Sequence, residues 1–63
     1  MTKKERNKIT KLIEDAYQSL PDVEFCEPEY YGSVEEVLRM LESWAEDHEQ
    51  QAAGLRAVIS RHE

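Results

Sequence analysis

The sequence predicts an all-α protein built as an antiparallel helical hairpin, and three observations predict it. Two capping boxes, Thr2-Lys3-Lys4-Glu5 and Ser33-Val34-Glu35-Glu36, mark helix starts, because such residues satisfy the free N–H groups of a first turn. Apolar residues recur with a helical period after each box. Between the two periodic segments lies PDVEFCEPEYYG, residues 21–32, whose two prolines and final glycine interrupt any helix.

The first helix is expected over about residues 3–20. Ile9, Leu12, Ile13, Ala16, Tyr17 and Leu20 fall at i, i+3, i+4, i+7, i+8 and i+11, a single apolar stripe. Pro21 stops it, since the residue before a proline is pushed out of the helical region. In the linker, Val23 and Phe25 alternate with acidic residues in a stretch too short to make a sheet alone. Phe25 is expected to fold back and plug the open end of the hairpin. Tyr30 and Tyr31 suit that role equally with one as contact anchors, because tyrosine is enriched at binding hot spots.

The second helix is expected to be long, about residues 34–62. Its apolar positions run from Val34, Val37, Leu38, Leu41, Trp44 and Ala45 to Ala52, Leu55, Val58 and Ile59. They fill a band broader than the ~100° that one neighbouring helix requires. Gly54 is the candidate site for a kink or break, at about 1 kcal/mol relative to alanine. In an antiparallel hairpin Leu20 would lie near Val34 and Val37, Ile13 near Trp44, and Ile9 near His48. Lys4, Lys8 and Lys11 would then face the acidic row Glu35, Glu42, Glu46 and Glu49. Such exposed pairs contribute about 0–1 kcal/mol each, enough to select an orientation and little more.

The first helix would leave Leu55, Val58 and Ile59 uncovered, forfeiting about 1.5–3 kcal/mol per side chain. A second copy of the chain would cover them. The expectation is a homodimer in a four-helix arrangement, with Trp44, His48, Leu55, Val58 and Ile59 at the seam. His48 is read as a partly buried neutral imidazole bonded to Gln51 or the other chain, ahead of a pH switch.

Sixty-three residues make one domain, residues 1–63, with a small core. Fourteen acidic residues against eight basic ones leave a net charge of −6, which repels DNA and anionic lipid alike. Residues 1–20 carry five basic and three acidic residues, and residues 21–63 carry three and eleven. The N-terminus, MTKKERNKIT, lacks a signal-peptide pattern, and one cysteine, Cys26, permits no internal disulfide, so a cytoplasmic location is expected. His48 and His62 lack the i, i+4 spacing of a helical metal pair, and no metal or cofactor is expected. Around Cys26, Glu24, Glu27 and Glu29 disfavour a thiolate. No phosphate loop, nucleophile elbow or paired-acid cleft is visible, so no catalytic role is expected.

These readings converge on a small acidic accessory or regulatory protein, of a kind common among phages and mobile elements. It would act through contact with itself and with another protein. Tyr30, Tyr31, Glu42, Glu46 and Glu49 are the candidate partner-binding residues. The alternative is an acidic mimic of nucleic acid that inhibits a DNA-binding protein, using the same glutamates with Glu35, Glu36 and Asp47. A nucleic-acid binder using Lys3–Lys11 is disfavoured by the overall charge.

Overall fold

The computed structural model describes residues 1–63, and every regular element in it is helical. The elements are α1 (Lys3–Ser19), α2 (Pro28–Tyr31), α3 (Val34–Asp47) and α4 (Ala52–His62). Both expected caps form. The Glu5 N–H donates to Thr2 Oγ1 at 3.1 Å, and the Glu36 N–H donates to Ser33 Oγ at 3.3 Å. The return half of the first box does not form. Glu5 instead accepts from the Val34 N–H at 3.3 Å, so the carboxylate caps the start of α3 from α1. An anion at a helix N-terminus is favourable wherever its chain comes from.

That hydrogen bond also decides the topology. The starts of α1 and α3 lie together, while Phe25 lies between Tyr17 near the end of α1 and Trp44 near the end of α3. The two helices therefore run parallel, and the antiparallel pairing expected for them is overturned. The linker is the reason. After Leu20 the chain doubles back along the flank of α1, passes through α2 and reaches the α1 start, where Arg6 meets Glu29 at 2.6 Å. Fourteen residues, 20–33, are enough to travel that length at up to about 3.3–3.6 Å per extended residue. Pro28 opens α2 in the position where its missing N–H is harmless, and Gly32 closes it at φ 85°, a conformation that only glycine adopts without strain.

The long helix over 34–62 is likewise replaced by two. The chain turns at residues 48–51 and not at Gly54, which lies inside α4. The Gln51 and Ala52 N–H groups donate to the His48 and Glu49 carbonyls at 3.0 and 3.3 Å, and the Leu55 N–H closes on Gln51 at 2.9 Å. The antiparallel hairpin of this protein is thus α3 with α4. Gly54 has a different role: a Cβ there would stand 2.7 Å from Ser19 Oγ, so glycine lets α4 pass close to the end of α1.

One core joins all three long helices. Ile9, Leu12 and Ala16 from α1 meet Val37, Leu41 and Ala45 from α3 and Leu55, Val58 and Ile59 from α4, with Leu20 closing the end. Leu55 and Val58 are 0% and 1% exposed within a single chain. The uncovered tail on which the homodimer expectation rested does not exist, because α4 folds back onto its own α1 and α3. Burial decides this. Three aliphatic side chains at about 1.5–3 kcal/mol each outweigh a few interrupted helix bonds worth about 0.5–1.5 kcal/mol each, two of which the turn replaces.

Candidate functional site

Parallel packing of α1 and α3 sorts charge along the molecule. The lysine-rich start of α1 shares one end with the start of α3 and the end of α4, where Lys4, Lys8, Arg61 and His62 border an open cleft with Glu5 and Glu35. The opposite end carries Glu46, Asp47 and Glu49, with Asp22 on the linker. Between Leu12 and Leu55 the only lysine or arginine is Arg39, against twelve of the fourteen acidic residues. Arg39 itself lies between Glu35 and Glu36, at 3.9 and 3.3 Å. Glu42, Glu46 and Glu49 are exposed, and none of the five ion pairs in the structure includes them. The expected pairing of this row with Lys4, Lys8 and Lys11 fails because parallel helices put the lysines beside the start of α3 and the glutamates towards its end.

Two tyrosines expected to act alike are placed differently. Tyr31 is half-buried, and its hydroxyl accepts from the Cys26 N–H at 2.9 Å, tying α2 to the linker. Burial raises its pKa above the ordinary value, opposed by that backbone hydrogen bond. Tyr30 stacks edge-on against Tyr31 and remains 76% exposed. It is the tyrosine free to touch another molecule.

The expected seam residues divide the same way. Leu55, Val58 and Ile59 are core, and Trp44 is half-buried with its ring 5.6 Å from that of Phe25. His48, expected to be partly buried, is exposed at the C-terminal cap of α3. It lost the core position because the apolar band it was placed in is interrupted at that residue by the turn.

Two features escaped sequence reasoning. The first is a groove of about 500 Å³ on the flank of α1, lined by Ile13, Glu14, Tyr17, Gln18 and Phe25. Tyr17 is 51% exposed although it belongs to the apolar stripe. The signal was present: Ile13 and Tyr17 form one edge of that stripe, and edge positions face whatever neighbour or solvent lies beside the helix. The second is a carboxylate clamp. Asp15 Oδ2 accepts from Arg61 Nε at 3.2 Å and lies 2.8 Å from His62 Nε2, fastening the last turn of α4 to α1. The hydrogen bonds from His62 and then Arg61 hold the Asp15 carboxyl below its ordinary pKa. Partners 46 and 47 residues apart leave no local sequence signal.

Cys26 is exposed and unpaired in a disulfide. No helix is long and apolar enough to cross a membrane. In comparisons with known proteins, no family model, curated protein or solved structure matches the chain.

Proposed function

We propose that the chain is a small acidic accessory or regulatory protein of the cytoplasm, without catalysis of its own, that works by protein–protein contact. The observation that carries this reading is the set Glu42 and Glu46 on α3 with Glu49 in the turn after it, all exposed and in none of the ion pairs of the structure. Unpaired charge on a packed helix is preorganised: it steers an oppositely charged partner and sets its orientation, while apolar anchors nearby supply most of the affinity. Tyr30, 76% exposed on α2, is proposed as a separate contact point towards the start of α1. Leu55, Val58 and Ile59 are covered within one chain and so do not themselves call for a second copy.

The same row supports the acidic-mimic alternative, in which the partner is a DNA-binding protein held by its own phosphate-binding residues. The two readings separate by salt. Capture of partners by the immobilised chain, followed by elution with increasing salt, is expected to retain a protein partner at moderate ionic strength. Release of a DNA-binding protein with a steep salt dependence favours the mimic. Reversal of Glu42, Glu46 and Glu49 together to lysine is expected to abolish capture while the helical spectrum persists. A folded triple variant that still captures the same partner removes the acidic row from the reading.

A further inference from the structure

We infer that the groove on the flank of α1, between Ile13, Tyr17 and Phe25, docks a basic amphipathic helix of a partner protein. The inference rests on the protein-contact reading above and gives the partner its chemistry. Three rings cross this flank in sequence. Tyr17 lies 6.3 Å from Phe25, and Phe25 lies 5.6 Å from Trp44, centroid to centroid, so an aromatic surface spans from α1 to α3. Tyr17 is half exposed, and Ile13, Phe25 and Trp44 are only partly covered. Removing such side chains from water is the usual source of affinity at an interface.

The charge around the groove selects the occupant. Glu14 lines it, Glu24 adjoins Phe25, and Asp47 lies three residues past Trp44 on the same side of α3. No lysine or arginine occurs from Leu12 to Leu38 to neutralise them, and Arg6, on the same side of α1, is engaged with Glu29. Lysine or arginine flanking an apolar ridge therefore matches this surface. The protein offers no strand edge to which an extended peptide could add, whereas Ile13 and Tyr17, one turn apart, form a ridge against which a helix packs. A second copy is the poorer occupant: a two-fold pairing through this groove would set Glu14 and Glu24 against themselves, between chains that each carry −6.

Trp44 is the sole tryptophan and its ring lies 5.6 Å from that of Phe25, so its emission reports on the edge of the groove. The test titrates the full chain with a synthetic amphipathic helix of leucine and lysine, and with its leucine–glutamate counterpart. A saturable change in Trp44 emission is expected from the lysine peptide alone. Tyr17→Ala is expected to weaken it about tenfold, as truncation of an interface anchor does. Gln18→Arg, which adds bulk and positive charge at the rim without touching the core, is expected to weaken it as well. Ser60→Arg, exposed on α4, which lines no part of the groove, is expected to change it by less than about threefold. Failure of the lysine peptide to bind overturns the proposal. Binding of the lysine peptide that Tyr17→Ala and Gln18→Arg leave unchanged overturns the groove yet leaves the protein-contact reading standing. Self-association that Tyr17→Ala or Gln18→Arg abolishes makes a second copy the occupant and also overturns the proposal.

Discussion

The two connections between long helices differ in almost every respect. The first, residues 20–33, holds two prolines and Gly32, spans fourteen residues and returns the chain to where it started, so that α3 runs parallel to α1. The second, residues 48–51, contains neither proline nor glycine, reverses the chain at once and makes α3 and α4 antiparallel. A break signalled by proline and glycine says where a helix ends, because those residues act on their own backbone. It does not say where the chain goes next. The unsignalled break is located by what lies beyond it: the apolar side chains of α4 reach the core only if the chain turns before them.

The strongest way to break this comparison is to remove the burial credited with causing the second turn. Leu55→Ala is expected to destabilise by about 2–5 kcal/mol, as truncation of a fully buried leucine does. Denaturant unfolding followed by circular dichroism reads it. A loss below about 1 kcal/mol would mean that α4 contributes little to the core and that something else makes the turn.

Gly32 tests the first connection. Its φ of 85° closes α2, and although a Cβ there would meet no atom within 4 Å, the backbone itself resists a side chain. Gly32→Ala is expected to cost about 1–2 kcal/mol, measured as a fall in melting temperature. No change in melting would place Gly32 outside the left-handed region.

Glu49→Pro separates a turn from a continuous helix. The Glu49 N–H takes part in no backbone hydrogen bond, and His48 before it already lies at φ −119°, ψ 81°, outside the helical region. Proline is therefore expected to be neutral or to stabilise by about 0.4–1 kcal/mol through the unfolded state. In an unbroken helix over 34–62 the same change would cost about 3 kcal/mol or more. Thermal melts of the variant and parent distinguish the two.

The smallest expected effect concerns the clamp that fastens the far end of α4. Because the Asp15 carboxyl is held below its ordinary pKa by His62 and Arg61, its contribution to stability is present above the unfolded-state value. It is lost as pH falls through the depressed folded-state value, so the window lies below about pH 4. Asp15→Asn is expected to flatten the acid limb of stability in that window and to change little near neutrality, where partly exposed pairs are weak. An acid limb identical to the parent's would show that the clamp does not form.

The candidate site was legible to the extent that its chemistry is local. Glu42 and Glu46 stand on the exposed surface of α3 as their spacing requires, Glu49 falls in the turn past its end, and Phe25 packs inward from the linker. Tyr30 and Tyr31 could not be told apart, because the difference is a hydrogen bond from Cys26 that depends on how the linker curls. The groove was hidden for a related reason: Tyr17 reads as core until the neighbour on its side is known to be a thin linker and not a helix.

The sequence by itself determined that the chain is helical, where α1 and α3 begin, that α1 ends before Pro21, and which residues are apolar enough to form a core. Each of these follows from interactions within about four residues: caps, backbone sterics and the 3.6-residue period. Only the tertiary structure decided that α1 and α3 are parallel, that the second helix is divided at residues 48–51, that Leu55, Val58 and Ile59 are covered by their own chain, and that Asp15 meets Arg61 and His62. Burial is non-directional and roughly proportional to apolar area. A stripe therefore states how much surface must leave water, while the partner that covers it is chosen by the lengths of the connections and by whichever arrangement covers the most.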